Sequence, residues 1–115
     1  MKISELRVGN WVCDDYSGYM TVVNISSEPP YIDLRKTMNL PVGRYDVGSV
    51  YPISLNEGWL EILGLPNDNY DVFKQAHGGF SLVDDLGDGV KWYVGELRYV
   101  HQLQNLYYAL TGEEL

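Results

Sequence analysis

The chain has 115 residues, 45% of them hydrophobic and 21% charged, with a formal net charge of −8. A length of this order fits one domain that buries roughly two-thirds of its unfolded surface without a metal or disulfide, and the composition argues against a disordered tail. Eight scattered Lys and Arg residues against sixteen acids argue against direct contact with nucleic acid or an anionic membrane, because phosphates are met by clustered cations.

The start, Met1-Lys2-Ile3-Ser4-Glu5-Leu6-Arg7, has no apolar run of signal-peptide type. No stretch approaches the length of a membrane span. Cys13 is the single cysteine, so no intramolecular disulfide can form, which suits a reducing cytoplasm. Its expected role is a half-buried strand residue.

Residues Asn10 to Asp14 and Tyr19 to Ile25 are β-prone and flank Asp15-Tyr16-Ser17-Gly18, a turn in which Gly18 can take positive φ. They predict a hairpin. Glu28-Pro29-Pro30 breaks the pattern, and Tyr31 to Leu34 reads as a third strand. Residues 36–43 read as a loop and Arg44 to Ile53 as mostly extended, with Pro52 at an edge or a strand end.

A first helix follows. Asn56 is a good N-cap and Glu57 suits the positive end of the helix dipole. Trp59, Leu60, Ile62 and Leu63 supply an apolar face, Gly64 a left-handed cap and Pro66 a stop. Gly58 inside this helix costs up to about 1 kcal/mol relative to Ala, which packing of Trp59 must offset. Tyr70 to Gln75, Gly79 to Asp84 and Val90 to Val94 then predict a three-stranded meander. Its turns are His77-Gly78-Gly79 and Asp88-Gly89. The last helix runs from Tyr99 or Val100 to Thr111, with Val100, Leu103, Leu106, Tyr107 and Leu110 as its apolar stripe and Gly112 as its C-terminal cap.

Known chemical signatures fail on specific positions. Asp84-Asp85-Leu86-Gly87-Asp88-Gly89 resembles a calcium loop, but Leu86 and Gly95 stand where an EF-hand needs ligands. Cys13, His77 and His101 are too few for a structural zinc site and have no ligand spacing. No nucleophile elbow surrounds Ser17, Ser49 or Ser81, and no glycine-rich phosphate loop occurs. The expectation is therefore no catalytic residue, no metal and no cofactor.

The aromatic content is high, with ten tyrosines and three tryptophans. Tyrosine is common both in strands and in interfaces. The last helix is more specific. A step of about 100° per residue puts His101, Gln104, Asn105 and Tyr108 opposite Leu103 and Leu106. No charge lies between Arg98 and Glu113. An exposed helix face normally carries charge, so these four residues form a candidate interaction face for a homodimer or another protein. A helix lying across the sheet and partly covered is the other reading.

Three segments resemble a known family: Leu6-Arg7-Val8-Gly9-Asn10-Trp11-Val12, Pro52-Ile53-Ser54-Leu55-Asn56-Glu57-Gly58-Trp59-Leu60, and the end from Tyr99-Val100-His101-Gln102-Leu103 to Thr111-Gly112-Glu113-Glu114-Leu115. They are similar to small proteins of Bacteroidetes genomes and their phages or prophages, to which no activity is assigned. In that family a threonine is common where Asn56 stands, and either residue can cap. The resemblance implies a cytoplasmic, mobile-element context.

Together these readings predict an α+β chain with a small N-terminal β unit over residues 1–53, an SH3-like barrel being one form of it. A short helix, a three-stranded antiparallel meander and a C-terminal amphipathic helix over residues 54–115 would share one core with it. The expected function is a non-enzymatic protein-interaction module. The alternatives are an acidic mimic of nucleic acid that blocks a DNA-binding protein, and a small-ligand binder using Trp11, Trp92 and the tyrosines.

Overall fold

The structure, a computed structural model, describes residues 2–14, 18–36, 41–64, 70–76, 78–85 and 91–115, with side chains except those of 84, 85 and 91–94. The predicted turns at 15–17, His77 and Asp88-Gly89, the loop at 37–40 and Pro66 lie outside the described residues. Among the described residues the fold is α+β, with two antiparallel sheets and two α-helices. Contacts divide the chain into two units, Met1–Ile53 and Ser54–Leu115.

The N-terminal unit is a four-stranded meander of β1 (Trp11–Cys13), β2 (Tyr19–Ser27), β3 (Pro30–Arg35) and β4 (Gly43–Tyr45). Asp14 ties the first hairpin: its N–H donates to the Gly18 carbonyl at 3.2 Å, and its Oδ1 accepts from the Gly18 N–H at 3.0 Å. Gly18 does not take the positive φ expected of it. Glu28-Pro29-Pro30 does not interrupt the sheet. Ser27 pairs with Pro30, so Glu28 and Pro29, joined by a cis peptide bond, are the turn of a second hairpin. Proline is tolerated there because it opens a strand at a turn.

One irregularity sets the pattern of β2. Val22 pairs with Leu34 and Asn24 with Asp33, which leaves Val23 as an extra residue. Such a bulge shifts the alternation by one residue. Met20 and Val22 point inward before it, and Ile25, opposite Ile32, after it. The core is Leu6, Val12, Met20, Val22, Ile32, Leu34 and Val50. The stretch from Arg44 to Ile53 is less extended than predicted. After β4 it forms a 3-10 turn at Val47–Ser49, then Tyr51 bridges back to Cys13 on β1. Backbone bonds between these two residues run both ways, at 3.0 and 2.8 Å. The chain after β4 thus returns to the edge of β1 through this single bridge.

The C-terminal unit contains α1 (Glu57–Leu63), a meander of β5 (Tyr70–Lys74), β6 (Phe80–Asp85) and β7 (Lys91–Leu97), and α2 (Val100–Thr111). Asn56 caps α1 as expected, its Oδ1 accepting from the Trp59 N–H at 2.9 Å. Trp59 is buried and Leu60 and Leu63 are half-buried, but Ile62 is 69% exposed and leaves the predicted face. At about 100° per residue, Ile62 falls on the far flank of Trp59 from Leu60. Gly64 has the positive φ of a cap, although its ψ of 154° is not left-handed helical. Gly112 does close α2 in the left-handed conformation, its N–H donating to the Tyr108 carbonyl at 2.8 Å. Among the described residues, Leu55, Trp59, Phe80, Leu82, Leu97, Val100, Leu103 and Tyr107 are this unit's buried apolar residues.

Candidate interaction surface

The face chosen on α2 is not one surface. His101 is 1% exposed and Gln104 0%, whereas Asn105 is half-buried and Tyr108 is 40% exposed. The buried set Val100, His101, Leu103, Gln104 and Tyr107 covers an arc of about 160° at about 100° per residue. The stripe through Leu103, Leu106 and Leu110 lies on one flank of that arc, so the true burial direction is rotated about a quarter turn toward Gln104 and His101. The expectation that these two residues face outward is corrected. A pattern built on apolar residues alone cannot place polar residues that are buried.

His101 stacks on Tyr99 at 5.8 Å between ring centres and 11° between planes. The buried Tyr107 ring meets Tyr70 edge-on at 6.3 Å. Gln102 starts the helix, its Oε1 accepting from the backbone N–H groups of Arg98 and Tyr99 at 2.8 and 3.1 Å. What α2 leaves accessible is its last turn, where Tyr108, Ala109 and Leu110 are exposed and uncharged.

Charge is unevenly divided. Met1–Ile53 carries five Lys and Arg against six acids, and Ser54–Leu115 carries three against ten, so the formal charges are −1 and −7. Glu57, Glu61, Asp71, Glu96, Glu113 and Glu114 are all exposed. The two cations of this unit with described side chains each lie near a carboxylate. Lys74 Nζ is 4.0 Å from Glu57, and an Arg98 nitrogen is 3.8 Å from Glu96. Between α1 and the β5–β6 turn lies a groove of about 520 Å³. Leu55 and Phe80, both buried, belong to its lining with Asn56, Glu57, Gly58 and Lys74.

The outer face of the N-terminal sheet holds a polar cluster. Arg44 donates from Nε and a terminal nitrogen to the two oxygens of Asp33, at 2.9 and 3.3 Å, and Asn24 donates to the same carboxylate at 3.3 Å. The Arg44 guanidinium also lies 3.8 Å over the Tyr31 ring. The bonds from Arg44, then that from Asn24, hold the Asp33 carboxyl below its usual range, and Asp33 in turn raises Arg44. This carboxylate and this cation are mutually satisfied. Cys13 is half-buried beside the Tyr51 and Pro52 carbonyls, and burial, then the charge of Asp14, push its thiol up. A raised thiol is a poor nucleophile.

Among the described residues no group of three or more His, Cys, Asp or Glu is placed to hold a metal ion. No described helix is long and apolar enough to cross a membrane. The groove and the Asp33–Arg44–Tyr31 cluster were not foreseen, because each is made by residues far apart in sequence. Cross-strand register would have revealed the second, since Arg44 faces Asp33 directly. No protein-family model matches the chain, and no curated protein or solved structure does.

Proposed function

We propose that the chain is a non-enzymatic interaction module that docks a basic protein through its C-terminal unit, in a phage or prophage context. The observation that carries this reading is the concentration of negative charge in Ser54–Leu115. A surface of one sign speeds encounter with a partner of the other and repels competitors of its own sign. With Lys74 beside Glu57 and Arg98 beside Glu96, a partner meets carboxylates more than cations. The same surplus disfavours a homodimer through this unit, since each copy would present like charge to the other.

The test uses protamine, an arginine-rich protein, as a basic probe of the full isotope-labelled chain. Amide shifts confined to residues 54–115 and weakened by salt are expected. No shift at low salt, or shifts centred on residues 1–53, would overturn the reading. The charge surplus also favours a narrower form, in which the partner is a DNA-binding protein whose nucleic-acid groove is blocked. Duplex DNA should then compete with the chain for such a partner. Simultaneous binding of both would remove the narrower form alone.

A further inference from the structure

We propose that the docking element is the outer edge of β5, and that it takes a basic, extended segment of the partner as an added strand. This rests on the reading of the C-terminal unit as a dock for a basic protein. Strand order makes β5 a terminal strand, and among the described residues only β6 pairs with it. The direction of its free backbone groups follows from the ladder. The Gln75 N–H donates to the Gly79 carbonyl at 2.9 Å just beyond the strand. Hydrogen-bonded pairs alternate along an antiparallel ladder, and the register is unbroken. Phe73 with Ser81 and Asp71 with Val83 are therefore the bonded pairs. Tyr70, Val72 and Lys74 turn their N–H and C=O groups away from β6.

Sheet edges are usually blunted by proline, bulges or charged side chains, and of these β5 carries only the charges of Asp71 and Lys74. β5 has no proline and no bulge, and Phe73 stays exposed beside it. At its Lys74 end lies the groove with Leu55 and Phe80, large enough to admit a side chain of a strand that runs past Lys74. Strand addition uses such a combination, main-chain bonds for affinity and a side-chain pocket for selection.

Charge decides between occupants. The exposed charged residues of α1 and β5 are Glu57, Glu61 and Asp71 against Lys74 alone, and Lys74 lies near Glu57. A second copy would bring a surface with the same excess of carboxylates over cations against this one, which like-charge repulsion disfavours. A segment alternating basic and apolar residues meets Asp71 with its basic face and the groove, which Lys74 and Phe80 line, with the other.

The experiment titrates the labelled full chain with three synthetic heptapeptides: one of alternating lysine and valine, one of alternating glutamate and valine, and a lysine–valine peptide N-methylated at alternate residues. The first should shift the amides of Tyr70, Val72 and Lys74 most and slow their exchange. The other two should bind at least about tenfold more weakly, the scale of one or two lost hydrogen bonds or unfavourable charges. Val72→Pro removes an outward N–H that β6 does not use, and should weaken the first peptide by about tenfold while leaving the β6 and β7 amides unmoved. If protamine still maps to residues 54–115 but these three amides stay still, the β5 proposal falls and the functional reading stands. If neither probe shifts residues 54–115, both fall.

Discussion

Asn56 and Asp33 do unequal work for their similar size. α1 has only seven residues, shorter than any helix that holds in isolation. It therefore depends on Trp59 for burial and on Asn56 for its first turn. Gly58 fits this arrangement, because a Cβ there would sit 3.2 Å from the capping oxygen. Asn56→Ala should lower stability by about 1 kcal/mol, read as a lower urea midpoint at unchanged slope, whereas Asn56→Thr should stay near the parent because threonine also caps. Asp33 acts through its charge. Its folded-state pKa is lowered, so the bonds to Arg44 contribute fully above the unfolded value of about 3.9 and are lost as pH falls through the lower folded one. Asp33→Asn should be less stable than the parent at neutral pH, with the gap closing as the melts are taken below about pH 3.9. A gap that stays constant down to strong acid would mean the carboxylate charge is not the source.

At the scale of elements, caps and strands were legible because their signals are local. The Asn56 cap, the Gly112 cap and the three meander strands could be read directly, since each depends on residues a few positions apart. The bulge at Val23 and the facing of α2 could not, because each is set by what lies across from it. His101 and Gln104 are polar residues inside a helix's buried arc, where apolar periodicity gives no signal. The contact between β7 and α2 is equally non-local. A Cβ on Gly95 would come within 3.0 Å of Leu106 Cδ2. Gly95→Ala should therefore crowd the helix, and Leu106→Ala should relieve that crowding. A double-mutant cycle by urea unfolding should give a combined loss smaller than the sum of the single losses by about 0.5 kcal/mol or more. Strict additivity would mean that Leu106 simply swings aside, as a half-buried leucine at the end of its side chain can.

At the scale of the whole molecule, the acidic composition acquires a location. A net charge of −8 averaged over 115 residues describes solubility; −7 within Ser54–Leu115 describes a unit that repels itself when folded. Salt screens such repulsion: the Debye length shrinks from about 30 Å at about 0.01 M to about 3 Å at about 1 M. The N-terminal unit, nearly neutral and carrying the Asp33–Arg44 attraction, has little repulsion to lose. Added salt should thus raise the hydrogen-exchange protection of core amides in β6 and β7, such as Leu82 and Leu97. Those of Val22 and Leu34 in β2 and β3 should change little by comparison. Chloride is the anion to use, because sulfate strengthens apolar burial everywhere and would hide the difference. Equal gains in both sets would show that the carboxylates of the C-terminal unit are too dispersed to repel one another. Such dispersed carboxylates could not act as a single docking surface, so the same exchange data bear on the proposed partner as well as on stability.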